Sequence, residues 1–300
     1  MKNIIRLLIT LGLAAALPAH AALKVLATTS DWGALTTELG GERVNVYVAT
    51  SALQDVHRVE AKPSLVARAR TADLLVATGA ELEIGWLPVL IQESGNSKIQ
   101  PGAPGYFEAA SALRLLEVPT KLDRSMGDIH PLGNPHVQLD PHNILAVARA
   151  LTARLSQLEP AHAAFYQQRG KDFETRWTEA TKRWELKALP LKGVPVVIMH
   201  RDQAYLCHWL DLHEIASIEP KPGVPPTAAY LGQLVSKLTS APPKLILINA
   251  YNDPKAAKWL SDRVHAPVVT LPFSVGGDDG AKDLFGLFDD TLDKLLAANK

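Results

Sequence analysis

The residues Gly133-Asn134-Pro135-His136-Val137-Gln138-Leu139-Asp140-Pro141-His142-Asn143 place one imidazole between two prolines. Each proline disfavours the α conformation in the residue before it, so Asn134 and Asp140 are held extended and the backbone carrying His136 is stiff. A stiffly held imidazole suits metal ligation; taken alone, the stretch also fits a proline-rich turn with an incidental histidine. Further ligand types recur after apolar runs. His57 follows the run at 44–49, His200 directly follows 194–199, and Asp278 and Asp279 sit in a glycine-flanked loop after 268–271. Neutral imidazole and carboxylate together are donors for borderline divalent metals.

Ligands so placed need strands that end where they begin, and the pattern supplies them. Short β-branched runs at 24–27, 44–49 and 74–77 alternate with helical segments at 32–39 and 63–70, a βαβ rhythm that predicts a parallel sheet covered on both faces. Asp140, Pro141 and Asn143 resemble helix-start residues before Ile144, Val147 and Leu151. From 144 to about 189 the strand signals vanish. Leu151, Leu155, Leu158, Phe165, Phe173, Trp177 and Trp184 recur at mostly helical spacing, with Pro160 as a break, which predicts a long helix or helix pair. Strands return at 194–199, 244–248 and 268–271, separated by helices at 227–238 and 253–264. The fold class is α/β: sheet domain, long helix, sheet domain, with ligands at the carboxyl ends of strands facing a cleft.

Composition narrows the function. Lys2 and Arg6 flank an apolar run at 7–17 that ends at Ala19-His20-Ala21, a secretory signal peptide over 1–21 with the mature chain starting near Ala22. No later stretch approaches the roughly 18 uninterrupted apolar residues of a membrane helix. No cysteine stands directly after the cleavage site, so a direct membrane anchor is not expected; the periplasm is the expected location, with free secretion the alternative. Cys207 is the sole cysteine, which excludes an intramolecular disulfide, and 31 basic against 31 acidic residues give no net charge to attract nucleic acid.

Three segments then resemble one family. Gln54-Asp55-Val56-His57 with Glu60, Pro63 and Ser64 is similar to the D-P-H-x-x-E-x-x-P-S element of the zinc- and manganese-binding solute-binding proteins of metal ABC transporters. The stretch 134–141 resembles their D-P-H-x-W-L-D-P element, and His200 with Ala204-Tyr205 resembles their H-x-A-F-x-Y segment. The resemblance implies His57, His136 and His200 as metal ligands and a C-terminal carboxylate as the fourth. Where family members hold that carboxylate, this chain has Pro272-Phe273-Ser274, so Asp279, then Asp278, with Asp283 behind them, are the candidates. Glu60 and Asp140 are possible acceptors for the rings' second nitrogens, Asp140 equally a helix cap. The long histidine-rich insertion of many zinc members is absent; a short loop at 123–134 replaces it, and Asp128 and His130 are assigned to metal transfer. This most resembles the AztC-like zinc-binding branch. The resemblance implies two four-stranded parallel sheets, in domains 22–158 and 190–300 bridged by a rigid helix at 159–189, with small movements on binding. It also implies Zn2+ as cargo, a membrane permease and a periplasmic metallochaperone as partners, and a monomer.

Three nitrogens and one carboxylate favour Zn2+ over Mn2+, which prefers more oxygen ligands. The rival class is an exported zinc-dependent hydrolase with a three-histidine site, which needs an open coordination position and usually a general base. No H-E-x-x-H is present, and no acid/base couple is placed by Glu81 and Glu83. An organic-solute binder ranks third, because aromatics make up only 6% of the chain and a solute cleft needs them.

Overall fold

The computed structural model describes residues 21–121, 127 and 130–300. The expected leader, apart from Ala21, and Asp128 lie outside the described residues. Among the described residues no helix is long and apolar enough to cross a membrane.

The chain builds two parallel four-stranded sheets of one topology. The first contains β1 (Leu23–Ala27), β2 (Val44–Val48), β3 (Leu74–Ala77) and β4 (Tyr106–Glu108) in the order β2-β1-β3-β4, with helices α1 (Ser30–Gly40), α2 (Pro63–Arg70) and α3 (Leu87–Ser94). Then come two helices, α4 (Pro141–Leu158) and α5 (Ala163–Ala188). The second sheet contains β5 (Pro195–Ile198), β6 (His213–Ser217), β7 (Leu245–Asn249) and β8 (Val268–Leu271) in the order β6-β5-β7-β8. Its helices are α6 (Ala204–Leu210), α7 (Ala228–Leu238), α8 (Lys255–Val264) and α9 (Leu284–Ala298). The strand pattern alone yields three strands per sheet. The fourth, β4 or β6, is an edge strand in each: β4 has three residues, and β6, His-Glu-Ile-Ala-Ser, is half-exposed, so neither carries a buried apolar run.

Alternation along the strands divides the core. Val25 and Ala27 of β1 face one way and Leu26 the other, as a two-residue period requires. Leu26, Leu75 and Ala77 pack under α2 and α3, and Val197, Ile246 and Ile248 pack under α7 and α8. The opposite faces of both sheets share a single continuous core through α4, α5 and α9.

α5 supplies the middle of that core. Its buried residues Tyr166, Phe173, Trp177, Ala180, Thr181, Trp184 and Ala188 form one stripe on an otherwise charged helix. Trp177 lies 5.1 Å from Trp184, which stacks at 5.0 Å on Phe288 of α9. Both indoles are satisfied, Trp177 donating to the carbonyl of Pro141 at 2.8 Å and Trp184 to Asp289 at 2.7 Å. α4 and α5 form an antiparallel pair broken at Pro160; a Cβ at Gly170 would meet the Thr152 side chain at 2.6 Å, so glycine permits their close crossing. A bridge of this kind resists bending, because moving one sheet against the other disrupts packed aromatic contacts rather than loops.

Candidate metal centre

Three loops deliver three rings to one point. His57 comes from the loop after β2, where Asp55 accepts from the His57 backbone at 3.0 Å and bonds its Nδ1 at 2.8 Å. Trp86 holds the same loop from below, its indole donating to the carbonyl of Val56 at 2.9 Å. His136 follows Pro135, and its N–H donates to the Asn134 side chain at 3.0 Å. His200 is the extended residue that ends the β5 segment before a single turn leads into α6, and its Nδ1 meets Glu219 at 2.6 Å. One ligand atom from each of His57, His136 and His200 lies within 4.8 Å of the others. Ring centroids are 5.2, 6.0 and 5.7 Å apart.

The surroundings tune these rings for a cation. His136 is buried and its Nε2 has no hydrogen-bond partner among the described residues. Burial, then the rings of His57, His200 and His130, hold its pKa well below the usual imidazole range, which keeps a lone pair available. Burial of His200 opposes its charging, but Asp202, the Glu219 hydrogen bond and Asp55 outweigh that and push its pKa up to about 9. Carboxylates on the Nδ1 atoms of His57 and His200 fix ring orientation and tautomer, the usual outer support of a metal-bound imidazole. Glu219 also accepts from the backbone of Gly223 at 2.9 Å, so it is itself held in place.

His130 stands beside these three rings, outside the set of mutually facing ligand atoms but next to His57. Its Nε2 lies 3.3 Å from the Nε2 of His57, and its ring is 6.2 Å from that of His136. Two nitrogens on one tetrahedral zinc, each bonded at ~2.0–2.1 Å, stand roughly 3.3–3.4 Å apart, so the His57–His130 separation already suits a shared ion. Burial, then His57 and His200, pull the pKa of His130 down to about 4. Open cavities of about 250 and 340 Å³ flank it, one reaching His136, His200 and Arg201, the other His57, Glu81 and Gly127.

The carboxylates expected to close the site stand elsewhere. Asp279 is exposed and takes no part in the group of facing ligand atoms. Asp278 accepts from the backbones of Gly280 and Ala281 at 3.0 Å and pairs with Lys294 of α9, so its charge is spent on its own loop. Asp283 caps α9 through Gly286. Of the two expected acceptors, Asp140 takes its helix-cap alternative and Glu60 stands away from the rings. Glu60 is exposed, and Asp140 caps α4 by accepting from His142 at 2.8 Å, whereas Asp55 and Glu219 support the rings. Asp55 stood inside a motif already quoted. Glu219 follows β6, the strand with no apolar signature, so the pattern gave no reason to look there.

A polar lattice ties the rings' loops across the cleft. Asn134 donates to Glu117 at 2.9 Å and to the carbonyl of Arg201 at 2.8 Å; Tyr205 donates to the carbonyl of Asn134 at 2.8 Å and accepts from the backbone of Leu116 at 3.0 Å. Arg201 pairs with both Glu117 and Glu214. Cys207 is buried beside this lattice, and burial pushes its thiol up to about 12, the state of a small apolar residue rather than a ligand.

A family model described as ZnuA, zinc-uptake complex component A, periplasmic, matches residues 25–298. The chain belongs to that family. Its members are solute-binding proteins of ABC transporters and not enzymes, which removes the hydrolase reading. The manganese ABC transporter substrate-binding lipoprotein PsaA of Streptococcus mitis is 24% identical over 163 residues, 53% of this chain and 50% of that protein, so the chain spans about half the length of this relative. The manganese ABC transporter substrate-binding lipoprotein scaA of Streptococcus gordonii is 21% identical over 91% of this chain and 87% of its own length. A ZnuA crystal structure superposes with a TM-score of 0.77 at 19% identity, covering 93% of this chain and all of that one. A manganese-bound periplasmic metal binding protein from Candidatus Liberibacter asiaticus gives 0.74 at 17% identity, covering 92% and 99%. These structures share the two-sheet, long-helix fold of this ZnuA-family member.

Proposed function

We propose that this protein captures one Zn2+ in the periplasm between lobes 22–158 and 190–300, and passes it to the membrane permease of an ABC transporter. The observation that carries the reading is the convergence of His57, His136 and His200 from both halves of the chain, their ligand atoms within 4.8 Å of one another. His130 takes the fourth position in this reading, in place of Asp279, because its Nε2 already stands 3.3 Å from that of His57. Four imidazoles and no carboxylate favour zinc over manganese more strongly than the mixed set expected from sequence, although the relatives above are named for manganese. Placement in the AztC-like branch and loading by a periplasmic metallochaperone belong to the same proposal; the cavities beside His130 leave a donor's ligand room to reach the ion.

Competition titration of single variants tests it. His57→Ala, His136→Ala and His200→Ala should each weaken zinc at least about a hundredfold, near 2.7 kcal/mol, and His130→Ala about tenfold or more. Asp279→Ala should match wild type. Wild-type affinity in all three of the first variants overturns the site, a loss at Asp279 equal to theirs restores the acidic ligand, and tighter binding of Mn2+ than Zn2+ overturns the cargo.

A further inference from the structure

The segment after β3 has a backbone that the metal ligands alone do not explain. Gly79, Ala80 and Glu81 have φ values of +80°, +50° and +65°, three successive left-handed residues of which two carry side chains. Such strain persists only where surrounding structure enforces it. The enforcing group is Glu83, a buried carboxylate whose Oε1 accepts from the Thr78 N–H at 2.8 Å and from the Thr28 hydroxyl at 2.7 Å, while its Oε2 accepts from the Gly79 N–H at 3.1 Å.

This segment touches two of the four rings' supports. Glu81 and His130 line one cavity together with His57, and the Glu81 backbone lies close enough to favour a proton on the His130 ring. Four residues on, a Cβ at Gly85 would stand 3.2 Å from the carbonyl of His57, and Trp86 binds the carbonyl of Val56. The rings of His57 and His200 each have a carboxylate on the second nitrogen, whereas the group set beside the His130 ring is the backbone of Glu81.

Resting on the zinc-binding reading above, we propose that the left-handed turn Gly79–Glu81 is the seat that holds His130 against the cluster, and that Glu83 is the positioning residue that fixes the seat. Glu83 never touches the ion. It sets the direction of the Glu81 carbonyl, and through it the reach of His130 toward His57.

Glu83→Gln and Glu81→Gly test the seat: the first turns an amide toward a backbone N–H, the second lets the turn relax without strain or loss of a buried group, so one variant folds even if the other does not. In metal-free protein, carbethoxylation of His130 by diethyl pyrocarbonate, followed by mass spectrometry, should be at least about fivefold faster in either variant. In zinc-loaded protein, release to excess EDTA should quicken about tenfold, and adding His130→Ala to either variant should give no further acceleration beyond His130→Ala alone. The unfolding midpoint of Glu81→Gly should not fall, which separates loosened positioning from general damage. Equal modification rates in variants and wild type, or effects on release that multiply with His130→Ala, overturn the seat. Protected His130 in a protein that binds no zinc upholds the seat and refutes the metal reading instead.

Discussion

At the scale of single residues, the chemistry rests on which atoms stand behind the ligands. Glu219 holds the second nitrogen of His200 and is in turn held by Gly223, so Glu219→Gln should lower zinc affinity by about 10–100-fold with little change in unfolding midpoint. Calorimetric titration beside a thermal melt checks this, and unchanged affinity would mean that the Glu219 bond is not what orients the ring. The sequence singles out His57, His136 and His200, which the fold brings together, because each sits in a segment with its own grammar: a strand end or a proline bracket. Its acidic candidates for a fourth ligand stand apart from the three rings for a physical reason. Asp278 and Asp279 look free in one dimension, yet Asp278 closes an Asx-type turn and meets Lys294 sixteen residues later on α9, a pairing visible only once that helix folds back. The loop at 123–134 marks His130 for metal transfer, and its 3.3 Å approach to the His57 ring is visible only in the fold.

At the scale of elements, α5 was legible from its aromatic spacing and from Pro160, whereas β4 and β6 were not, since β4 has only three residues and β6, His-Glu-Ile-Ala-Ser, has no apolar run. The aromatic stripe carries a definite cost if cut. Trp184 is almost fully buried between Trp177, Phe288 and Asp289, so Trp184→Ala should destabilise the protein by about 3–5 kcal/mol in urea unfolding. A loss below about 1 kcal/mol would indicate that α5 does not join the halves energetically. Trp184→Phe, which keeps the ring but abandons the bond to Asp289, should lose a smaller amount.

At the scale of the whole molecule, the halves also meet at a buried acid. Asp31, at the start of α1, accepts from the backbone of Val275 beyond β8 at 3.0 Å and bonds the Ser274 side chain. Burial outweighs those bonds and raises its pKa from 3.8 to about 6, a difference on the order of 3 kcal/mol between the ionised and neutral forms. The folded state therefore holds this proton more tightly than the unfolded chain. Its contribution is complete below pH 3.8 and is lost as pH rises through about 6. Between pH 4 and 7 metal-free wild type should accordingly lose stability relative to Asp31→Asn, whose amide oxygen still accepts from Val275. Parallel unfolding curves at pH 4, 5, 6 and 7 would show the two proteins diverging; a constant difference would place the titration elsewhere.

The two sheets share one strand order, yet in the proposed site they would share the ion unequally. The loop after the second strand of the first sheet carries His57, while the matching loop of the second carries Glu219, a support rather than a ligand. With His136 and His130 also preceding α4, the first half owns three rings and the second only His200. If the halves part, custody of the cation falls to the first: the final handover is then the stripping of a tripod from one lobe, and His200 is the tether whose loss begins it.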